Sequence, residues 1–345
     1  MSREHFLASI AQTIQDYRAG EIHTPTPEHV DRWVRQFDPG VQYGILAEVD
    51  HVLGVSYLSR QWVIDFLGQE VANQALTGAD PCTFWRAAHM LNIQRNGRSQ
   101  AEMLLIFAEA LHQRCGIDLN ACGAPGGTYI YLDDGIYSGD RLYNDLAPWI
   151  RNHAPQQARI RILVIISHVY AEWKKLKELR KVAQDAGKNI DIDVFALVRI
   201  ENRRTERRNS EVLWPTSLPQ DPIVEGYFAQ QDNRYPFEPR PIGGRFQHGV
   251  FSSEQGRQLL EREFLLAGLR IRGHCRNPKP IVRPLGYGPF GVGFGSTVVT
   301  YRNCPNNAPL ALWWGDVNAP EWHPLRRWYP LFPRRTYEQN EADEF

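Results

Sequence analysis

The chain has 345 residues and carries 39 Lys+Arg against 39 Asp+Glu, a formal net charge of zero. That balance excludes the global basic field on which general nucleic-acid binders rely, although a local basic groove stays open. With 43% hydrophobic and 23% charged residues, extensive disorder is excluded as well. The length allows roughly two domains, enough to bury a core without staples.

No run approaches the roughly 18 apolar residues of a membrane span. The longest, Ile162 to Ile166, is strand-sized. The N-terminus, MSREHFLASIAQTIQDY, carries charge early, lacks the apolar region of a secretory signal and reads as an amphipathic helix. Cys82, Cys115, Cys122, Cys275 and Cys304 are odd in number and scattered, with no CxxC. Neither a disulfide framework nor a zinc site is expected, and His274 beside Cys275 reads as incidental. The expectation is a soluble, cytoplasmic protein.

In chain order, residues 1–80 are helical in pattern. Thr26 offers an N-cap with Pro27 at the first helical position. Val30, Trp33, Val34 and Phe37 recur at helical spacing, and Asp38, Pro39 and Gly40 read as a stop. A second apolar series runs from Ile45 to Leu53. A third helix after Ser59 carries Trp62, Val63, Phe66, Leu67 and Val71, all read as core.

Residues 81–200 switch to alternating helices and strands. Gln100 to Cys115 is helical, Tyr129 to Leu132 a short strand, Asp140 to Asn152 a helix, and Ile160 to Ser167 an aliphatic strand of the doubly buried kind. Ala171 to Ala186 is a Lys-rich helix closed by Gly187, and Ile190 to Ile200 another strand. The alternation predicts an α/β class, a doubly wound and mostly parallel sheet.

Residues 201–345 are read as an irregular α+β hood or interaction region. Glu201 to Asn209 is a charged surface loop. Ser252 to Gly268 is a helix capped by Ser252 or Ser253 and stopped by Gly268. The glycines from Gly286 to Gly295 suggest tight strands or a loop that a backbone approaches closely. Trp313, Trp314, Trp322 and Trp328 suggest an aromatic subdomain, and the acidic end a frayed tail.

The stretch that carries chemistry is YIYLDDGIYSGDRL, Tyr129 to Leu142. A strand delivers Asp133 and Asp134 to the carboxyl edge of the sheet, where open α/β folds bind ligands. Gly135, Ile136, Tyr137, Ser138 and Gly139 form a loop that can curl its N–H groups around one phosphate. The helix from Asp140 and Arg141 adds its positive dipole end. The two acids can then accept from a vicinal diol, so the spacing matches a ribose 5-phosphate.

This stretch resembles the ribose-phosphate signature of type I phosphoribosyltransferases through Asp133, Asp134, Ser138 and Gly139. Arg141 stands where that signature usually has a second hydroxyl, though a guanidinium also binds phosphate. The wider chain resembles the phosphoribosyltransferase-like effectors of bacterial conflict systems, anti-phage and retron-associated. That likeness rests on His29 to Phe37, Ile93 to Gln100, RPLGYGPF and Tyr301 to Trp314. Arg95, Asn96, Gly97, Arg98 and Ser99 precede a strong helix and read, on their own chemistry, either as an anion site or as a solvated turn with an ordinary cap at Ser99.

The resemblance implies binding of phosphoribosyl pyrophosphate or a nucleotide, with Mg²⁺ carried by the substrate, and reaction at ribose C1. It implies Arg95 and Arg98 at the pyrophosphate, and a defence-system partner protein, an ATPase or reverse transcriptase, through which nucleic acid could be met. Only Gly116 to Thr128 separates helix from strand, short for the flexible cover of a salvage enzyme. A catalytically inactive ribose-phosphate sensor and a regulatory partner of a defence enzyme are the competing readings. His168, directly after its strand, reads as structural. Gly291 to Gly295 is no dinucleotide fingerprint, since the spacing is wrong and no helix follows.

Overall fold

A computed structural model describes residues 1–94, 99–231, 236–245, 248–288 and 291–334. Its elements in order are α1 (Arg3–Thr13), α2 (Pro27–Val34), α3 (Pro39–Ser56), β1 (Tyr57–Leu58), α4 (Arg60–Val71), α5 (Gln74–Thr77), α6 (Pro81–Ala87), β2 (His89–Leu91) and α7 (Ser99–Cys115). There follow β3 (Tyr129–Ile136), α8 (Asp140–Asn152), β4 (Gln157–His168), α9 (Val169–Asp185), β5 (Asn189–Ile200), α10 (Pro222–Ala229), α11 (Glu254–Gly273), β6 (Val299–Thr300) and α12 (Leu310–Trp313). Among the described residues no helix is long and apolar enough to cross a membrane.

The chain divides into two compact units, Met1–Ser59 with the segment from Asn202 onward, and Arg60–Glu201. The second unit thus begins at Arg60. The cause is packing: α4 lies on α7, and Trp85 of α6 is buried against Phe107 while its indole N–H donates to the Val71 carbonyl at 2.8 Å.

In the first unit α1 packs on α2 and α3, and α11 on α3, α10 and α12. Thr26 caps α2 through the His29 N–H at 3.3 Å. Asp38, read as part of a stop, instead starts α3: its carboxylate accepts from the Gly40 N–H at 2.8 Å, with Pro39 at the first helical position. Trp33, Phe37, Phe264 and Trp328 meet mostly edge to face in the core. Gly268 does not stop its helix. It lies inside α11 because a Cβ there would fall 2.4 Å from the Pro284 carbonyl oxygen. Gly295 holds φ +74°, and a Cβ would sit 2.1 Å from the Leu213 oxygen, so this glycine segment is approached by backbone as its pattern implies. Trp313, Trp314 and Trp328 are buried, whereas Trp322 is 70% exposed. In the charged segment Arg204 and Arg207 pair with Glu238. The acidic tail beyond Arg334 lies outside the described residues.

The second unit is α/β around a four-stranded, all-parallel sheet of order β2-β3-β4-β5. Tyr131 of β3, Ile160, Ile162 and Val164 of β4 and Ile192 of β5 form one core with Leu146 and Ile150 of α8 and Leu179 and Val182 of α9. Their alternation along each strand is the period of two that puts one residue set on each face. The mixed α/β class with parallel strands is as the sequence implies. Trp62, by contrast, is 56% exposed. The buried stripe of α4 is Val63, Phe66, Leu67 and Val71, which leaves Trp62 off that face. The scattered cysteines also need correction: Cys82 and Cys115 form a disulfide with Cα atoms 5.4 Å apart, joining the start of α6 to the end of α7.

Candidate active site

β3 continues further than its hydrophobic run. It pairs with β4 through Asp133, opposite Val164, and on to Ile136, opposite Ser167. The acids therefore lie inside the paired strand near its carboxyl end, not in the turn after it. Both are buried, at 4% and 5% exposure. The turn itself is Tyr137, Ser138 and Gly139. Gly139 takes φ +74° at the N-cap of α8, a conformation that suits glycine. A Cβ there would lie 2.5 Å from Lys175 Cγ, so α9 walls the turn through Lys175, whose ammonium meets Asp140 at 3.0 Å and Glu178 at 2.8 Å. The first turn of the 13-residue α8 thus sits directly after the acids, with its positive dipole end at the loop.

Ser99, the first residue of α7, donates to Asp133 Oδ1 at 2.6 Å. Arg141 Nη1 donates to the same Ser99 hydroxyl at 3.0 Å and stands 3.8 Å from Asp133 and 3.9 Å from Asp134. The guanidinium is half exposed and lies across both acids. Gln94 Nε2 donates to Ser99 Oγ at 2.8 Å, and the Ile93 and Gln94 N–H groups donate to Gln100 Oε1. Gln100 in turn donates to the Leu132 carbonyl at 3.3 Å. The residues flanking Arg95, Asn96, Gly97 and Arg98 are thereby fixed beside Asp133; those four lie outside the described residues.

Burial and the neighbouring Asp134 push the Asp133 carboxyl up to about 7, against the opposing pull of Arg141 and Ser99. The Arg141 guanidinium is disfavoured by burial, but Asp134 and Asp133 more than compensate and its pKa rises. His168 is fully buried. Its Nδ1 lies 3.1 Å from the Ile136 carbonyl, and burial lowers its pKa to about 4, so the ring is a neutral prop under the loop.

Of the residues singled out from sequence, Asp133, Asp134, Ser99 and Arg141 meet in one cluster, and Gly135 to Asp140 form the strand end, turn and helix start beside it. The sequence alone gives no role to Tyr131, Asp145 or Lys175, whereas Gln94 and Gln100 fall within the Ile93 to Gln100 stretch already singled out. Tyr131 lies two residues before Asp133 on a strand, hence on the same face. Asp145 lies four after Arg141 on a helix, hence on its side. Those spacings were the available signal. Arg141 and Asp145, with Tyr143, Pro148 and Arg151, line an open depression of about 560 Å³ along α8.

Among the described residues no three His, Cys, Asp or Glu side chains form a cluster able to hold a metal. The Asp133 oxygens are already engaged by Ser99, the Asp134 N–H at 2.9 Å and the Tyr131 hydroxyl. Asp133 and Asp134 offer carboxylate oxygens, the donor type that suits magnesium, without forming a protein cage for it among the described residues.

No curated protein and no solved structure matches the chain. The family model PRTase-CE matches residues 30–334. That match spans both compact units and includes the acid pair, the loop and α8. The chain therefore belongs to the PRTase-CE family, a phosphoribosyltransferase-like effector family, which points to phosphoribosyltransferase-type activity on a nucleotide or phosphoribosyl substrate.

Proposed function

We propose that the chain is a phosphoribosyltransferase-type enzyme that binds phosphoribosyl pyrophosphate or a nucleotide with Mg²⁺, acts at ribose C1, and serves as an effector in anti-phage defence. One observation carries the chemistry: two buried acids at the end of a parallel strand, followed at once by the Gly139 turn and the N-terminus of α8, with Arg141 3.8 and 3.9 Å from them. The defence role rests on the family alone.

In this reading the 5-phosphate lies on the loop from Tyr137 to Arg141. The backbone of the turn, the helix dipole and the half-exposed guanidinium supply the charge complement. Asp133 and Asp134 accept from the ribose hydroxyls. As the C1–oxygen bond breaks and pyrophosphate leaves, positive charge grows on the ring, and the acids stabilise it from a buried, preorganised position. Arg95 and Arg98 are assigned to the departing phosphates. When bound, magnesium neutralises charge on the pyrophosphate. No protein nucleophile is needed, and rate comes from positioning and electrostatics.

The engagement of Arg141 with Ser99 and both acids also suits a sensor that binds without turnover. The test is pyrophosphate release from phosphoribosyl pyrophosphate with Mg²⁺, alone and with candidate acceptors and partners, compared with Asp134→Asn. Release that Asp134→Asn abolishes supports the enzyme. Binding without release supports the sensor, and neither binding nor release refutes both.

A further inference from the structure

Behind the acid pair lies a second set of polar groups to which the reading above gives no role. Tyr131 is fully buried, yet its hydroxyl sits between two carboxylates, 2.9 Å from Asp145 Oδ2 and 3.4 Å from Asp133 Oδ2. A phenol has one proton to donate. The shorter contact takes it, so Tyr131 donates to Asp145 and turns oxygen lone pairs toward Asp133. The opposite oxygen of Asp133 is different: it accepts from Ser99 at 2.6 Å and from the Asp134 N–H at 2.9 Å. Two donors meet Oδ1 and an acceptor meets Oδ2. A single proton on Asp133 therefore belongs on Oδ2. Among the described residues, the other charged groups around this carboxyl are Asp134 on its own strand and Arg141 and Asp145 on α8; α7 contributes the neutral Ser99.

Resting on the proposed function, we infer that Tyr131 and Asp145 are positioning residues that hold a proton of the Asp133 carboxyl on Oδ2 and receive it when positive charge develops at the ribose. The transfer balances without any other reactant. The Asp133 Oδ2–H bond breaks as its proton passes to the phenol oxygen, and the phenol proton passes to Asp145 Oδ2. Asp133 becomes a carboxylate, Asp145 a carboxylic acid, and Tyr131 is unchanged. The 3.4 Å link is loose at rest, as such bonds often are before substrate binds. Asp145 also lines the open depression along α8, which gives the relayed proton a way out to solvent.

The raised pKa of Asp133 agrees with this arrangement, and its movement provides the test. The readout is the Asp133 side-chain carboxyl titration, followed by ¹³C NMR in the full chain, which needs no turnover. Asp145→Asn replaces the anionic acceptor at the end of the chain by a weaker neutral one that also carries an amide donor, which releases the phenol proton toward Asp133 and favours its ionised form. The midpoint should fall by about one pH unit or more, a tenfold change in the ionisation constant. Ser99→Ala removes a donor to the ionised form and should move it upward. In a Tyr131→Phe background the Asp145→Asn displacement should shrink to a minor remainder. An unmoved midpoint in Asp145→Asn, or the same displacement with Phe at 131, overturns the inference. Should the wild-type protein release no pyrophosphate, the function fails while these titrations still decide the relay. Where release is seen, the acid limb of its kcat/KM profile should move with the midpoint.

Discussion

Asp133→Asn should stabilise the protein at alkaline pH while removing its activity. The Asp133 pKa rises from 3.8 to about 7 on folding because the group is buried beside Asp134. With a raised folded pKa, the native state binds more protons than the unfolded state between those values, so stability falls as pH rises through that window. The penalty is absent below the unfolded value, grows from about pH 4 to pH 7 and is complete above it. At 1.36 kcal/mol per unit the ceiling is about 4 kcal/mol, reduced by whatever relaxation the site allows. Asparagine removes the charge but keeps the contacts: its oxygen can accept from Ser99 and the Asp134 N–H, and its amide can donate to Tyr131. Arg141 keeps Asp134 as partner. Thermal melts from pH 5 to 8.5 should show a variant advantage of roughly 5–10 °C at the alkaline end, shrinking toward pH 5. A variant that is less stable throughout, or a wild-type stability flat across the window, would refute the idea that a buried carboxylate is held here at a cost.

Other outcomes follow from the same contacts. Arg141→Ala should weaken binding of phosphoribosyl pyrophosphate about 10- to 100-fold in calorimetry, the worth of a charge-assisted contact, and should shift the Asp133 midpoint upward because Arg141 opposes its rise. Gly139→Ala must hold φ +74° and displace Lys175, so it should cost about 1–2 kcal/mol in urea unfolding and disturb phosphate binding more than Ser138→Ala does. The Cys82–Cys115 bridge closes a loop with a sequence separation of 33. Reduction, or the paired serine variant, should therefore cost about 3–4 kcal/mol of stability, with intact-mass measurement confirming the loss of the bond. Gly268→Ala should destabilise α11 in chemical denaturation, since Pro284 backbone occupies the space of its methyl group.

The α/β core was legible because its signals were local and mutually consistent. The continuous aliphatic run at Ile160 to Ser167 and the glycine before Asp140 mark β4 and α8 with little competition. The end of β3 was harder. Asp133 and Asp134 look like a turn by composition, but backbone pairing to β4 carries the strand three residues beyond Asp133, and burial of the acids is set by tertiary contacts that no local propensity encodes. The pattern at Asp38, Pro39 and Gly40 is ambiguous for a physical reason: an Asp–Pro pair that cannot continue one helix is also a good start for the next. Gly268 illustrates the same point, where the missing side chain serves packing and not termination. Cysteines 33 apart in sequence give no hint that their Cα atoms will stand 5.4 Å apart. Of the candidate site, the acids, loop and helix start were readable as a motif. Spacing alone places Tyr131 and Asp145 on the faces of Asp133 and Arg141, but the hydrogen bond that joins them, and those of Gln94 and Gln100, form only when strand, helix and α7 meet in space.

A crystal structure of the chain with phosphoribosyl pyrophosphate and Mg²⁺ bound should place the 5-phosphate against the backbone of Tyr137 to Asp140 with Arg141 turned onto it, and both ribose hydroxyls within hydrogen-bond distance of Asp133 and Asp134. Ligand density elsewhere on the molecule, with Arg141 still bonded to Ser99 and the acids untouched, would contradict that placement.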